Sequence, residues 1–436
     1  MIIYTIIEYF LIVIAFVDYK KGLICFAILD LFIGVNIRGY LIPGGNIVAV
    51  ENILSLVYSI VFLIKHNSLL LEKQRFPLLG PFIFISISMV LSSTLTIAPG
   101  NISKIISAII RQFVMAYIYW KVLDRKSLIM VFYGSCVVFL ISTIYAQYEY
   151  IFQTNPISDY FIESSVDQEN VIDWHFEDNS ERGYRVKSIF DHAIGAGVMW
   201  ALCIFWIFSY CSCSQIFKQR TIKTFAYIVL MIMCFICIIY TRSRSGIVFI
   251  MLCMLSFVNF KKSRSFVYGI FILFAIIFLG SHFSQFNDIF MSIFSPKARD
   301  TVGGSSIELR FDQLDAAFSL FAQSPILGLG SGFQELVTED MASRLMGYES
   351  MWFVIIPSYG LLGMITNIYL AYVCIIKIPQ MYEMKAIKYV CFAYWLVGSL
   401  SSLPGMKMHY YYIVIFYLIK NSEVYISKSK RNKTIM

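Results

Sequence analysis

The sequence predicts an all-α fold, a polytopic bundle of about 12–13 transmembrane helices that carries two long extracytoplasmic loops. Of the 436 residues, 58% are hydrophobic and 14% are charged, whereas soluble domains contain about 45–50% and about 25% of these classes. A soluble protein of this length has too little interior to bury so much apolar surface. Apolar stretches approaching the roughly 20 residues that span a bilayer recur along the whole chain.

Thirteen apolar segments can be delimited. They run 1–17, 22–37, 49–64, 77–96, 103–121, 128–150, 186–210, 222–241, 245–260, 265–282, 350–376, 386–404 and 408–420. Lysine and arginine concentrate in every second connection, as the positive-inside rule expects for cytoplasmic loops. The remaining connections, among them 241–245, are therefore predicted to lie outside. The count becomes twelve if one of the first three segments, or the last, does not cross.

This pattern divides the chain into five regions. Residues 1–150 form the N-terminal transmembrane helices, and residues 151–185 form the first long periplasmic loop. Residues 186–282 form the central transmembrane helices, and residues 283–349 form the second long periplasmic loop. Residues 350–436 hold the C-terminal transmembrane helices and a basic cytoplasmic tail. Both loops are net acidic, which agrees with an external position. We expect the location to be the bacterial cytoplasmic (inner) membrane.

The second long loop contains a predicted amphipathic helix. Residues 305–308 read Ser-Ser-Ile-Glu, which fits a capping box, and Ser324-Pro325 ends the helix. Its apolar stripe consists of Ile307, Phe311, Leu314, Phe318 and Phe321. Such a helix is expected to lie at the membrane interface or to cap the bundle, at the level of a lipid head group.

Arginines are unusually frequent on the predicted outer side, where positive residues are normally disfavoured. They are Arg182, Arg185, Arg242, Arg244, Arg299, Arg310 and Arg344. The planar guanidinium group binds phosphate oxygens in bidentate fashion and stays charged at any working pH. An anionic ligand such as a pyrophosphate is one explanation. The other is structural: interfacial anchoring, or pairing with the acidic residues of the same loops.

Four further features are candidates for function. Arg111 lies in the middle of the fifth apolar segment, where a charge is costly and is taken as functional by default, and Asp30 could be its partner. Glu349 opens a span and could act as a general base or be an interfacial end charge. Asp191-His192 could position a ligand or cap a helix. Residues 328–332 (Gly-Leu-Gly-Ser-Gly) resemble a phosphate loop in composition, but the absence of a preceding strand excludes a dinucleotide fingerprint.

Several other classes of site are not supported. The net charge of +8 follows the cytoplasmic connections and does not indicate nucleic-acid binding. The ten cysteines fall mainly in apolar stretches and are typical of buried small side chains. No set of carboxylates or histidines in the outer loops has convincing metal spacing, so we expect no metal and no cofactor.

Three sequence blocks resemble the O-antigen polymerase/ligase superfamily of membrane glycosyltransferases (the Wzy and WaaL type). The first runs from Arg182 through 190–195 (Phe-Asp-His-Ala-Ile-Gly), and the second is 241–246 (Thr-Arg-Ser-Arg-Ser-Gly). The third comprises Leu309-Arg310, 324–333, Glu349-Ser350 and 360–363 (Gly-Leu-Leu-Gly). Together the blocks cover roughly residues 180–365, and the N-terminal spans are similar in topology alone.

The resemblance implies a GT-C-like, metal-independent enzyme that transfers glycans from undecaprenyl pyrophosphate without a nucleotide sugar. It implies that Arg185, Arg242, Arg244 and Arg310 bind the pyrophosphate or the glycan. We add Arg182, Arg111 and His192 to this binding set. Arg310 is also placed with Glu349 as a catalytic residue.

One departure from the family favours a polymerase over a ligase. Ligases of this superfamily carry a histidine near the end of the second long loop, where this chain has Glu349-Ser350, and His282 lies at the start of that loop instead. A ligase that moves finished glycan to an acceptor remains one alternative. A flippase of lipid-linked oligosaccharide and a non-enzymatic scaffold are others. The implied partners are undecaprenyl-pyrophosphate-linked oligosaccharide, membrane lipid, a chain-length regulator and a flippase.

Overall fold

A computed structural model describes residues 2–33, 38–40, 47–65, 76–98, 102–159, 184–214, 222–257, 307–333, 350–403 and 406–434. The helices before the first long loop are α1 (Ile2–Val17), α2 (Tyr19–Leu29), α3 (Val50–Lys65), α4 (Leu79–Thr94), α5 (Ile102–Val122) and α6 (Arg125–Phe152). Those after it are α7 (Ala193–Ser214), α8 (Ile222–Tyr240), α9 (Arg244–Met254), α10 (Ile307–Gln323), α11 (Met351–Tyr372), α12 (Lys385–Leu400) and α13 (Met408–Thr434). A short hairpin, β1 (Arg38–Tyr40) with β2 (Ile47–Ala49), pairs Gly39 with Val48 in antiparallel register.

The all-α polytopic membrane fold predicted from composition is confirmed. Within the described ranges, five helices are long and apolar enough to cross a membrane: Ile102–Val122, Arg125–Phe152, Ala193–Cys213, Ile222–Tyr240 and Met351–Tyr382. Tyr4–Val17, Leu79–Thr94 and Arg244–Phe257 are shorter apolar helices. The predicted span 265–282 lies outside the described residues, and the total of 12–13 spans stays a prediction.

Polar side chains cap the first turns of α2 and α6, which lie at the predicted cytoplasmic side. Asp124 is the N-cap of α6, and its Oδ1 accepts a hydrogen bond from the Ser127 backbone N–H at 2.8 Å. Asp18 caps α2 in the same way, and its Oδ1 accepts a hydrogen bond from the Lys21 backbone N–H. Lys20 then pairs with Asp124 at 2.9 Å, which ties the start of α2 to the start of α6.

The helix α13 lies at the centre of the bundle. Every residue from 410 to 419 is at most 2% exposed, although the sequence left open whether the segment 408–420 crosses the membrane. Aromatic rings of neighbouring helices surround it: Tyr410 packs edge-on against Trp206 of α7, and Phe416 packs against Trp120 of α5. A helix that is apolar on all sides is buried among other helices.

The amphipathic helix predicted in the second loop is present as α10, with its aromatic stripe facing outward. Phe311 is 65% exposed and Phe318 is 50% exposed. The face that packs against α11 consists of Gln313, Ala316, Ala317 and Leu320. The predicted capping box at 305–308 lies outside the residues whose side chains are described. An outward aromatic stripe suits a helix at the membrane interface.

The glycine-rich segment 328–332 completes the backbone of a broken helix. Pro357 interrupts α11, and Gly360 has non-helical angles (φ 57°, ψ −152°). The hydrogen bonds that α11 loses are replaced by Leu329 N–H to Pro357 O, Gly330 N–H to Ser358 O, Leu361 N–H to Pro325 O and Leu362 N–H to Ile326 O, at 2.7–3.1 Å. These bonds satisfy buried backbone groups. The segment that resembles a phosphate loop in composition therefore has a structural role in the fold.

Gly328→Ala is expected to destabilise the protein by more than about 2 kcal/mol, because two costs add. Gly328 has a φ of +72°, and a Cβ there would lie 2.5 Å from the Ser358 carbonyl carbon. Thermal unfolding in detergent measures the effect. The matched control is Gly80→Ala, whose Cβ would meet its nearest atom, the Tyr369 hydroxyl, at 3.5 Å. Equal melting temperatures for the two variants would contradict the structural role of Gly328.

Candidate functional site

The structure describes six of the eight predicted site residues. Arg182 and Glu349 lie outside the described residues, as do Arg299 and Arg344. The roles predicted for all of them therefore stay predictions. What the structure adds is where Arg111, Arg185, His192, Arg242, Arg244 and Arg310 lie and which elements hold them.

A buried carboxylate on α6 shapes the chain that leads from the first long loop into α7. The sequence predicts a span from residue 186, but α7 begins at Ala193 because residues 184–192 form an extended and turned segment. Glu149 accepts hydrogen bonds from the Tyr184 hydroxyl at 3.1 Å and from the Ser188 backbone N–H at 2.5 Å. Burial and the Glu149 carboxylate raise the pKa of Tyr184, which keeps its hydroxyl a donor.

Two of the three resembling blocks meet in space. Arg185 is buried, and its Nε donates a hydrogen bond to the Thr241 carbonyl oxygen at 3.1 Å. The Val186 N–H donates to the Tyr240 carbonyl at 3.2 Å. The turn that follows carries Arg242, whose φ of 50° is left-handed, and Arg244, which begins α9. Arg185, Arg242 and Arg244 are thereby held in one region at the predicted outer end of the bundle.

Close backbone packing between α7 and α9 holds the same region in place. Gly246 on α9 lies against Gly197 on α7, and a Cβ at Gly246 would be 2.9 Å from the Gly197 carbonyl carbon. A larger side chain would push α7 and α9 apart, and with them the segments that carry Arg185 and Arg244.

Arg310 and His192 have described contacts of a structural kind. Nη1 of Arg310 donates to the Leu400 carbonyl oxygen at 2.6 Å, which joins α10 to the end of α12. This contact is with α12, whereas Arg185 contacts the 241–246 turn. Nδ1 of His192 accepts a hydrogen bond from the Ile194 N–H at 3.0 Å, the geometry of a helix cap at the start of α7.

A buried ionic cluster is the main feature that sequence reasoning missed. It consists of Asp30, Glu51, Arg111, Lys407 and His409, which come from four separate parts of the chain. Nζ of Lys407 lies 3.7 Å from Asp30 Oδ2 and 3.5 Å from Glu51 Oε2. Nε2 of His409 lies 2.5 Å from Asp30 Oδ2.

The sequence offered Asp30 as a partner for Arg111, and the two belong to this one cluster. The direct ion pair of Arg111 is with Glu51, at 3.4 Å from Nη1 to Oε2, and the direct partners of Asp30 are Lys407 and His409. The reason is packing: Glu51 lies in the first turn of α3, which contacts the π-helical turn Ile110–Val114 of α5. A π turn inside a spanning helix is frequently a functional position.

The cluster lies inside the bundle, beside the outer segment that precedes α7. Lys420 follows His409 by eleven positions on α13, a rise of about 16 Å, which is about half of the hydrocarbon thickness. Burial opposes the charge of Lys407, yet the Asp30 and Glu51 carboxylates hold its pKa above the ordinary value, with a further contribution from Asp191. The polar candidates therefore include groups within the bundle as well as groups in its predicted outer segments.

Asp30, Glu51 and His409 also have the spacing of a metal site, with ligand atoms within 4.8 Å of one another. Two cationic side chains already oppose the two carboxylates, however, since Lys407 and Arg111 lie within 3.7 Å of them. A divalent ion would add surplus positive charge to a buried site. The donor set fits an internal ionic network better than a metal centre.

Lys407→Met is expected to destabilise the folded protein by about 3–5 kcal/mol, because it leaves two buried carboxylates short of a cation. Lys407→Arg keeps the charge and serves as the control. Asp30→Asn combined with Lys407→Met removes one charge of each sign and should recover part of the loss. Thermal unfolding in detergent compares the three proteins, and a Lys407→Met variant as stable as Lys407→Arg would contradict the ionic network.

Comparison with known proteins bears on the region that holds these arginines. A family model described as O-antigen ligase matches residues 228–368, which include Arg242, Arg244, Arg310 and the 328–332 segment. No curated protein matches the chain. The matched family implies a multi-pass membrane enzyme of the glycosyltransferase type that acts on lipid-linked oligosaccharide. Over residues 228–368, less than half of the chain, the match agrees with the resemblance to the O-antigen polymerase/ligase superfamily, and it does not separate the polymerase and ligase branches.

Proposed function

We propose that this protein polymerises oligosaccharide repeat units carried on undecaprenyl pyrophosphate, at the outer face of the bacterial inner membrane. The growing glycan passes to a hydroxyl group of a new lipid-linked unit, and neither a metal ion nor a nucleotide sugar takes part. The observation that carries the proposal is the contact between Arg185 and the Thr241 carbonyl. It joins two arginine-bearing segments at one outer site, inside or next to the matched family region.

The chemistry requires that negative charge be stabilised as it develops. The acceptor hydroxyl oxygen attacks the anomeric carbon, the bond from that carbon to the pyrophosphate oxygen breaks, and the hydroxyl proton passes to a base. Guanidinium groups of Arg185, Arg242 and Arg244 would bind the departing pyrophosphate, and charge-assisted hydrogen bonds to phosphate are among the strongest available. Glu349, next to the N-cap Ser350 of α11, is the base we propose.

Fixed geometry is the second contribution. Arg185 is buried and held through Nε, and Glu149 accepts hydrogen bonds from the Tyr184 hydroxyl before it and from the Lys187 backbone N–H after it. A guanidinium that is already oriented loses little freedom when it binds an anion, so more of the interaction is available to the transition state. Arg310, at the edge of α10, would meet the same ligand at the membrane interface.

The rival functions differ in what favours them. A ligase would use the same outer arginines, and the description of the matched family names that activity; Glu349-Ser350 in place of a histidine favours the polymerase. A flippase is favoured by the buried cluster around Lys407, because charged groups deep in a bundle often mark a transport path. A chain-length regulator and a flippase are the protein partners we propose for the polymerase.

The test is a gel of products from purified protein incubated with lipid-linked repeat units, without metal or nucleotide sugar. We expect a ladder at repeat-unit spacing. Arg242→Ala should lower the rate by about 100-fold or more, the usual effect of removing one donor to a developing anion. Arg310→Ala should also lower the rate, and both variants should give shorter products than the wild type.

The matched control is Arg125→Ala, which removes an arginine that contacts Asn421 at the predicted cytoplasmic end. Wild-type product lengths in both Arg242→Ala and Arg310→Ala would overturn the pyrophosphate site. Unchanged single units with folded wild-type protein would overturn the polymerase and leave the ligase or the flippase.

A further inference from the structure

We propose that Lys104, Ser107 and Arg111 form a second anion-binding site, which takes the phosphate groups of a second polyprenyl pyrophosphate, that of the acceptor unit. The inference rests on the proposed polymerase function, because that reaction alone among the rivals uses two lipid pyrophosphates at once. The site lies on α5, apart from the segments that carry Arg185 and Arg242.

The spacing of the three residues places them on one face of α5. They stand at positions i, i+3 and i+7, and two turns of helix separate the first from the last, a distance of about 10 Å along the axis. Lys104 is exposed, and Ser107 and Arg111 are partly exposed. The other residues from 105 to 110 are apolar: Ile105, Ile106, Ala108, Ile109 and Ile110. A polar stripe thus runs from the predicted outer end of α5 through a stretch in which the other residues are apolar.

The exposure of Arg111 indicates a polar occupant. Its side chain is 23% exposed, whereas that of its partner Glu51 is 4% exposed. At this depth a guanidinium group that faced lipid tails would be costly, so its exposed part must face a polar space or ligand. A guanidinium has five N–H donors, and in the described residues its ion pair with Glu51 uses Nη1 at 3.4 Å.

If the Arg111 side chain rotates toward a ligand, each carboxylate of the cluster still has another partner. Glu51 keeps Lys407 at 3.5 Å, and Asp30 keeps His409 at 2.5 Å. The long Arg111–Glu51 pair can therefore be exchanged for a charge-assisted hydrogen bond to phosphate, which is stronger when short. The Asp191 carboxylate, in the segment that carries Arg185, contributes to raising the pKa of Lys407. The proposal places the two anion sites on either side of this cluster, as a donor site and an acceptor site.

Phosphate chemistry at this place has two sources, the pyrophosphate of a polyprenyl lipid and the head group of a bulk phospholipid. We assign the first, because a stripe of three donors along two helical turns matches two linked phosphates better than one. The probe is undecaprenyl pyrophosphate without sugar, added to the protein in nanodiscs of zwitterionic phosphatidylcholine. Native mass spectrometry then counts the probe molecules bound to each chain, which needs no catalytic activity.

We expect two bound probe molecules for the wild type and one for Lys104→Gln, with affinity for the second at least about tenfold weaker. Because Lys104 is exposed, Lys104→Gln should fold normally. Arg111→Gln should also bind one probe molecule, and Arg111→Lys should regain part of the binding of the second. The control is Lys121→Gln, which removes a positive charge from the cytoplasmic end of the same helix and should bind two.

Two molecules bound by Lys104→Gln and Arg111→Gln alike would overturn the site. Displacement of the second probe by an equal amount of phosphatidylglycerol would show an ordinary phospholipid site and would also overturn the proposal. The polymerase proposal fails separately: a wild type that binds two probes but forms no ladder from repeat units would keep this site and lose that function.

Discussion

The bundle depends on the pairing of two buried carboxylates with cationic side chains at its centre. Asp30 lies at the end of α2 and Glu51 at the start of α3, and both helices are short for a membrane. Without Lys407 and Arg111 these carboxylates would be uncompensated charges in a medium of low dielectric constant. Their contacts fix α2, α3, α5 and α13 relative to one another. The Asp191 carboxylate, in the segment that carries Arg185, also helps to raise the pKa of Lys407.

The composition and the alternation of basic connections along the chain predicted the fold class well, since both are properties of the whole chain. The positions of Arg185 and the 241–246 turn on one side also followed from the alternation of basic connections, and the structure brings them into contact. The ionic cluster could not be predicted in this way: Asp30, Glu51 and Lys407 are separated by up to 377 positions, and no local pattern reports which charge meets which. The one available signal was that Glu51 and His409 stand inside or beside apolar segments, as Arg111 does.

The 328–332 segment shows a role that composition alone did not predict. Its glycines resemble a phosphate loop in composition, and in the structure Gly328 and Gly360 face each other where two backbones approach closely. The N–H groups of Leu329 and Gly330 donate hydrogen bonds to carbonyls of α11. A bilayer offers no water to such groups. The break in α11 therefore needs a second chain segment beside it, and this couples α10 and its outward aromatic stripe to a transmembrane helix.

The enclosure of α13 has a consequence for assembly. Residues 410–419 are buried among other helices, and in the sequence they follow all of those helices. Before α13 packs into the bundle, Trp120, Trp206 and the carboxylate of Asp30 lack neighbours that they have in the folded protein. The core of the bundle is therefore complete when its last helix in sequence has joined the others.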